Sequence, residues 1–195
     1  MEQAITIYTE SSPNPNSLKF VLNFYILENA SKDFPSIEDT QSSPLAKALF
    51  EEFTYVERVF IASNFITITK DMATDWYEAI PTIKAFIKQW LEEKKEVFNG
   101  AIEQEIKEEQ KPSFNENAAI ENKIISLLDD YVKPAVESDG GAISFHSYNE
   151  GVVKVQLQGS CSGCPSSTVT LKAGIENLLK RMMPNEVTEV IAEGV

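Results

Sequence analysis

A charged stretch near the middle of this 195-residue chain separates two blocks of apolar patterning. Residues 92–116 are dominated by charged and polar side chains, including four glutamates between Glu103 and Glu109. Such a segment contains too few apolar residues to form a core of its own. The chain length is also near the point at which two modest domains are favoured over one. We therefore expect a first domain over residues 1–96, an acidic linker over 97–116 and a second domain over 117–195.

The first block mixes strand and helix signals. Alternating apolar residues indicate strands, and apolar residues three or four positions apart indicate helices. A proline at a first helical position and small polar residues between apolar runs mark starts and turns. In chain order the pattern predicts strands beginning at Ile5–Ile7 and spanning Leu18–Ile26, a loop over Ser31–Ser43, a helix from Pro44, a strand pair turning at Ser63–Asn64, and a helix over Trp76–Leu91.

The second block has the same mixture, so we expect two small α+β domains. Two helices packed on a small sheet are expected here. In chain order the pattern predicts a helix over Ile120–Tyr131 that ends or bends near Pro134, a hairpin turning at Asn149–Glu150–Gly151, a helix from Pro165, and a last strand over Val187–Ile191.

Composition and charge exclude several classes of protein. Hydrophobic residues make up 43% of the chain and charged residues 24%, which is typical of a folded, soluble protein. The net charge of -13 repels phosphate backbones, and no cluster of Lys and Arg offsets it, so we expect no nucleic-acid partner. No apolar run is long enough to span a membrane, and the sequence begins without a basic and then apolar targeting pattern. We therefore expect a cytoplasmic protein without a membrane partner.

The only two cysteines, Cys161 and Cys164, stand in a C-x-x-C motif between a predicted strand and a predicted helix start. A helix N-terminus favours the thiolate, which is the form that binds metal. Gly159 and Gly163 allow the backbone to come close to a bulky inorganic group. In the reducing cytoplasm such a pair more often serves metal or redox chemistry than a structural disulfide. We therefore predict that Cys161 and Cys164 bind a metal or cofactor, and we predict no catalytic residue.

The number of ligands restricts the kind of metal site. Structural zinc and iron–sulfur clusters both take four ligands, whereas one chain offers two cysteines and a single histidine, His146. Two chains would together supply four thiolates, which favours a cluster at a dimer axis. Small thiols such as glutathione filling two ligand positions on one chain, zinc bridging two chains, a thiol–disulfide redox pair and an inert pair stay open. We expect His146 to be solvated, because it shares a strand face with Ser144.

With these residues in place, the second block resembles the NifU-like domain of the Nfu family of iron–sulfur carriers. The resemblance rests on Val132-Lys133-Pro134, Asp139-Gly140-Gly141, the run Gly159 to Ser167, and the helix Thr168 to Met183 with Pro184. Asp139-Gly140-Gly141 would form a turn that leads into a strand or shape the surroundings of the cluster. The first block is similar to the N-terminal domain of Nfu proteins through Pro13 to Phe20, Ser43 to Ala46 and Phe65 to Lys70.

The resemblance implies a carrier without enzymatic activity. It implies a homodimer that shares a 4Fe-4S cluster through Cys161 and Cys164, with a 2Fe-2S form left open. It also implies exchange with upstream cluster-assembly proteins and delivery to client apo iron–sulfur proteins. The first domain would then serve partner recognition or regulation.

Overall fold

The computed structural model describes residues 4–100, 117–161 and 165–194. The chain divides into two compact units, Met1–Lys111 and Pro112–Val195. Both units combine helices with a sheet, so the predicted α+β class is confirmed. The acidic part of the predicted linker, residues 101–116, lies outside the described residues.

The first unit is an antiparallel five-stranded sheet of order β1-β2-β5-β4-β3 with helices on one face. The register sets Phe20 and Ile61 each opposite Ile66, so the three side chains share the face that packs against Ile83 and Ile87. Its elements are β1 (Ile7–Ser11), β2 (Ser17–Leu22), β3 (Leu27–Phe34), a 3-10 helix (Ile37–Ser42), α1 (Pro44–Glu52), β4 (Val56–Ser63), β5 (Phe65–Lys70) and α2 (Trp76–Glu92).

Two predictions for this unit are wrong. The expected strand Leu18–Ile26 ends at Leu22, because the chain turns towards the β4–β5 connection, where the Ile26 N–H donates to the Ser63 carbonyl. The expected loop Ser31–Ser43 instead contains the end of β3 and the 3-10 helix. β3 is an edge strand, so pairing with β4 sets its conformation although its residues lack the apolar alternation of a strand.

Contacts of the first unit continue to Asn99, a few residues into the segment predicted as a linker. The buried Ser43 caps α1 by accepting the Ala46 N–H at 3.1 Å, and its hydroxyl donates to the Val97 carbonyl at 2.7 Å. The Asn99 N–H donates to the Ser42 carbonyl. A serine at the N-cap, followed by a proline, thus starts α1 and also holds the end of the unit.

The second unit packs helices against a three-stranded sheet of order β6-β7-β8. Two helices on a small sheet were predicted, and the structure adds a short third helix after the bend near Pro134. β6 and β7 form the expected hairpin, whose turn uses positive φ angles at Glu150 (46°) and Gly151 (87°), and β8 runs parallel to β7. Its elements are α3 (Ala118–Tyr131), the short α4 (Lys133–Ser138), β6 (Gly141–Asn149), β7 (Val152–Gly159), α5 (Pro165–Met182) and β8 (Glu189–Gly194).

Apolar residues of the helices and of the sheet share one core in this unit, with Ile124, Val155, Leu179 and Val190 fully buried. Within the described residues, no helix combines the length and the apolar character needed to cross a membrane.

Candidate cysteine site

Cys161 lies two residues after the end of β7 and four residues before the start of α5. The strand predicted before the motif and the helix predicted after it are therefore observed. Cys164 lies outside the described residues together with Ser162 and Gly163. At this site the structure therefore describes Cys161 and the residues packed around it.

Cys161 is a core residue as well as a candidate ligand. It is only 4% exposed and belongs to the same apolar cluster as Leu157, Ile175 and Leu179. Sequence patterning did not reveal this burial, because a loop of Gly, Ser and Cys shows no apolar period. The sulfur therefore lies in surroundings that strengthen its electrostatic interactions with nearby groups.

The turn Asp139-Gly140-Gly141 packs directly against Cys161. Gly140 has a φ of 82°, which is the left-handed conformation expected of a turn glycine. A Cβ atom on Gly141 would lie 3.0 Å from the Cys161 sulfur and 2.6 Å from the Gln158 carbonyl oxygen. The predicted turn is therefore observed, and it packs against Cys161; a role in shaping the surroundings of a cluster stays a prediction.

Two hydroxyl groups hold the Cys161 position. Ser160, 2% exposed, donates from Oγ to the Asp139 carbonyl at 2.5 Å, and this Oγ lies 3.8 Å from the Cys161 sulfur. Thr168, in the first turns of α5, donates from Oγ1 to the Cys161 carbonyl at 3.1 Å. Roles for Ser160 and Thr168 were not predicted from the sequence. A hydroxyl residue next to the cysteine, and another in the helix that follows, are the sequence signals that could have identified them.

His146 is exposed on β6, as expected for a solvated histidine, and a bulge follows Phe145 on the same strand. In the described parts of the chain, no group of three or more His, Cys, Asp or Glu side chains is arranged to hold a metal ion.

A carboxylate ties the helix that follows the cysteine motif to the last strand. Glu176 on α5 accepts from the Lys180 ammonium through Oε1 at 2.5 Å and from the Val190 N–H of β8 through Oε2 at 3.1 Å. The hydrogen bond from Lys180, and secondarily that from Val190, lower the pKa of Glu176 below its ordinary value. The ionised carboxylate thus links α5 to the edge of the sheet.

Comparison with known proteins gives matches over both units. Residues 7–94 match the family described as scaffold protein Nfu/NifU N terminal, and residues 124–191 match the NifU-like domain. These two matches cover the segments in which the sequence resemblance was found.

Three of the curated relatives that align with more than nine tenths of this chain come from Drosophila willistoni, Arabidopsis thaliana and Homo sapiens. The NFU1 iron-sulfur cluster scaffold homolog, mitochondrial, of Drosophila willistoni is 40% identical over 187 residues, which are 94% of this chain and 62% of the relative. NifU-like protein 5, mitochondrial, of Arabidopsis thaliana is 39% identical, over 92% of this chain and 66% of the relative.

The human NFU1 iron-sulfur cluster scaffold homolog, mitochondrial, is 36% identical, over 91% of this chain and 68% of the relative. The chain thus spans about two thirds of the length of these relatives. The names of all three describe scaffold or NifU-like proteins and not enzymes. By the matches to both domains and the identity to these relatives, the chain belongs to the Nfu/NifU family of iron–sulfur cluster scaffold proteins.

Proposed function

We propose that this chain binds a labile 4Fe-4S cluster between two copies of itself and delivers it to client apo-proteins. Cys161 and Cys164 of each copy would be the four ligands. The observation that carries the proposal is the position of Cys161 at a strand-to-helix junction in a member of this family that has only two cysteines. One chain supplies half of the four thiolates that such a cluster takes.

The surroundings of Cys161 agree with ligation of a cluster. Thiolate sulfur is the usual ligand of iron–sulfur clusters, and hydrogen bonds to the ligand sulfur tune their properties. Ser160 places a hydroxyl near the sulfur, and Gly141 brings the backbone of the turn close to it without a side chain between them. Since Cys161 is 4% exposed here, we expect the junction to rearrange when a cluster is loaded.

Delivery follows from the way the cluster would be held. A cluster ligated by two residues from each chain at an interface is lost when the chains separate, which suits temporary storage and transfer. The partners would be upstream cluster-assembly proteins and client apo iron–sulfur proteins. In this scheme residues 117–195 bind the cluster, and residues 1–96 recognise partners or regulate transfer.

The proposal includes a cytoplasmic location for the chain. The names of the relatives describe mitochondrial proteins, whereas the sequence pattern predicts a cytoplasmic location. Cell fractionation followed by detection of the chain separates the two. Detection of the chain in the mitochondrial fraction would overturn the cytoplasmic prediction, but the proposal for the cysteine site would still stand.

Native mass spectrometry of the anaerobically reconstituted chain tests the function, because it measures the number of chains, iron and sulfide together. We expect a dimer that carries one four-iron, four-sulfide unit, and we expect Cys161→Ala and Cys164→Ala to remain free of cluster. Ser144→Ala, at an exposed position of β6, is the control and should load normally.

Other masses would overturn the proposal in distinguishable ways. A dimer with zinc and no iron would indicate a bridging zinc site. An iron-free monomer that reversibly forms a disulfide between the two cysteines would indicate a redox protein. Normal cluster loading by either alanine variant would remove that cysteine from the ligand set.

A further inference from the structure

We propose that Ser160 is a positioning residue for the bound cluster, whose hydroxyl donates a hydrogen bond to the Cys161 sulfur once that sulfur ligates iron. The inference rests on the proposed function. It adds a residue that acts on the ligand and does not itself touch iron.

The geometry brings the Ser160 hydroxyl within reach of two acceptors. The Ser160 Oγ lies 2.5 Å from the Asp139 carbonyl oxygen, to which it donates, and 3.8 Å from the Cys161 sulfur. The Ser160 N–H donates to the Gly140 carbonyl at 3.4 Å, so both the backbone and the side chain of Ser160 are tied to the 139–140 turn. Ser160 is 2% exposed, and water has little access to this hydroxyl. A hydroxyl hydrogen rotates to suit its acceptor, so a turn about the Cβ–Oγ bond can redirect it from the carbonyl to the sulfur.

Ligation of iron changes which acceptor is stronger. In the cluster-free chain the carbonyl of Asp139 is a good neutral acceptor, whereas a thiol sulfur is a weak one. A ligating sulfur carries thiolate charge, and hydrogen bonds to ionised groups are stronger than bonds between neutral groups. Loading therefore exchanges one hydrogen bond of Ser160 for another. The proton stays on Oγ throughout, and the bond to Asp139 is replaced by the bond to the sulfur.

The exchange has two consequences for the cluster. A hydrogen bond fixes the direction of the Cys161 side chain, and it stabilises the negative charge on the ligating sulfur, so it strengthens the binding of the cluster. Outer-shell hydrogen bonds of this kind change metal affinity by roughly 10- to 100-fold when they are removed. We therefore expect Ser160 to set how long the chain retains a cluster before handing it on.

Thr168 provides a contrast within the same junction. Its hydroxyl donates to the carbonyl of Cys161, at 3.1 Å, and so holds the backbone of the residue and not the sulfur. A merely structural role for Ser160 would make Ser160→Ala resemble Thr168→Val. If the Ser160 hydroxyl instead donates to the Cys161 sulfur, the two variants will differ in any measurement that detects hydrogen bonding to that sulfur.

The experiment uses the full chain with its cluster reconstituted without oxygen. Resonance Raman spectra in H2O and in D2O report the Fe–S(Cys) stretches, which shift on deuteration where an exchangeable proton is bonded to sulfur. Transfer of iron to an excess of a chelator gives the rate of cluster loss. The variants are Ser160→Ala, Ser160→Thr, Thr168→Val and the exposed control Ser144→Ala, with circular dichroism of each cluster-free chain as the test of folding.

We expect Ser160→Ala to lose part of the deuterium shift and to release iron roughly 10- to 100-fold faster than the wild type. Thr168→Val should keep the full shift whatever its release rate, and Ser144→Ala should match the wild type in both. Ser160→Thr, which keeps the hydroxyl, should retain the shift. If Ser160→Ala does not fold, the threonine variant decides, because loss of the shift in a folded Ser160→Thr overturns the inference.

An unchanged deuterium shift in Ser160→Ala, with a release rate within about twofold of wild type, would also overturn the role of Ser160 and leave the proposed function standing. Failure of the wild-type chain to take up a cluster at all would overturn the proposed function itself.

Discussion

The backbone of Gly141 packs against the side chain of Cys161 so closely that a methyl group on the glycine would lie 3.0 Å from the cysteine sulfur. The same methyl group would lie 2.6 Å from the carbonyl oxygen of Gln158, a backbone atom of β7 that cannot rotate away. Gly141 pairs with Gly159 in the sheet register, so the first residue of β6 and the last residue of β7 meet just before the cysteine motif. Close packing at this point couples the strand pair to the position of the sulfur.

Gly141→Ala should therefore destabilise the chain by about 1–3 kcal/mol, because the β6–β7 pairing must shift to admit the methyl group. The measurement is denaturant unfolding of the full chain followed by fluorescence and circular dichroism. Gly174→Ala is the matched control, since a Cβ there meets no atom within 4 Å and the position lies within the helix α5. That control should gain roughly 0.5–1 kcal/mol from the higher helix propensity of alanine. Equal effects of the two substitutions would contradict the packing at Gly141.

Arg58→Met tests the pairing of the edge strand β3, which the sequence pattern did not predict. The Arg58 Nη1 lies 2.9 Å from the Asp33 Oδ2, and their side chains are only 18% and 4% exposed. We expect a loss of roughly 1.5–3 kcal/mol, because the substitution removes a hydrogen bond to a buried carboxylate. Denaturant unfolding again gives the free energy.

The exposed pair Lys88 and Glu92 on α2 is the control for that substitution. Its atoms are 3.7 Å apart, and its side chains are 51% and 54% exposed. Lys88→Met should change stability by only about 0.3–0.5 kcal/mol, because solvent screens the pair. A cost for Arg58→Met no larger than this would show that the ion pair contributes little to holding β3.

Ser43→Ala tests whether the segment at Val97 belongs to the first unit. The substitution removes both the cap of α1, accepted from the Ala46 N–H, and the hydrogen bond donated to the Val97 carbonyl. We expect a loss of about 1–2 kcal/mol in the free energy of unfolding and faster amide exchange at Asn99, whose N–H bonds to Ser42. Thr54→Ala, at an exposed position before β4, is the control and should stay within about 0.5 kcal/mol of wild type. Unchanged exchange at Asn99 would show that the segment is held without Ser43.

Acidification should loosen the attachment of β8 to α5 through Glu176. The pKa of this carboxyl is lowered in the folded chain, from an ordinary value of 4.5, chiefly by the hydrogen bond from Lys180 and then by that from the Val190 N–H. A group whose folded pKa is lowered contributes stability that is complete above its unfolded pKa and is lost as pH falls through the folded pKa. We therefore expect the protection factor of the Val190 amide to be constant above pH 4.5 and to fall below it.

Glu176→Ala should lower the protection of the Val190 amide already at neutral pH and remove its dependence on acid. Glu189→Gln, which changes an exposed carboxylate at the start of β8, should keep the wild-type profile. A Val190 protection factor that falls in parallel in wild type and in Glu176→Ala would contradict the role of this carboxylate. Hydrogen exchange followed by NMR gives each value residue by residue.

Most of the helices, and the turns that join β4 to β5 and β6 to β7, could be predicted because their signals are local. Pro44 after a capping serine starts α1, Glu150 and Gly151 make the turn between β6 and β7, and apolar spacing marks α2 and α5. β3 could not be predicted in this way, because an edge strand obtains its conformation from pairing with β4 and carries few apolar residues.

The sequence by itself located the candidate site and limited the ligands it can offer. Two cysteines separated by two small residues, between a strand and a helix, give each chain at most two thiolates. Only the tertiary structure decided what surrounds the sulfur. The Asp139 carbonyl that receives the Ser160 hydroxyl lies 21 residues earlier in the chain, and the core that buries Cys161 is assembled from all three helices and the sheet. Such contacts depend on how β6, β7 and the helices pack together, and packing between residues distant in sequence leaves no local pattern from which it could be predicted.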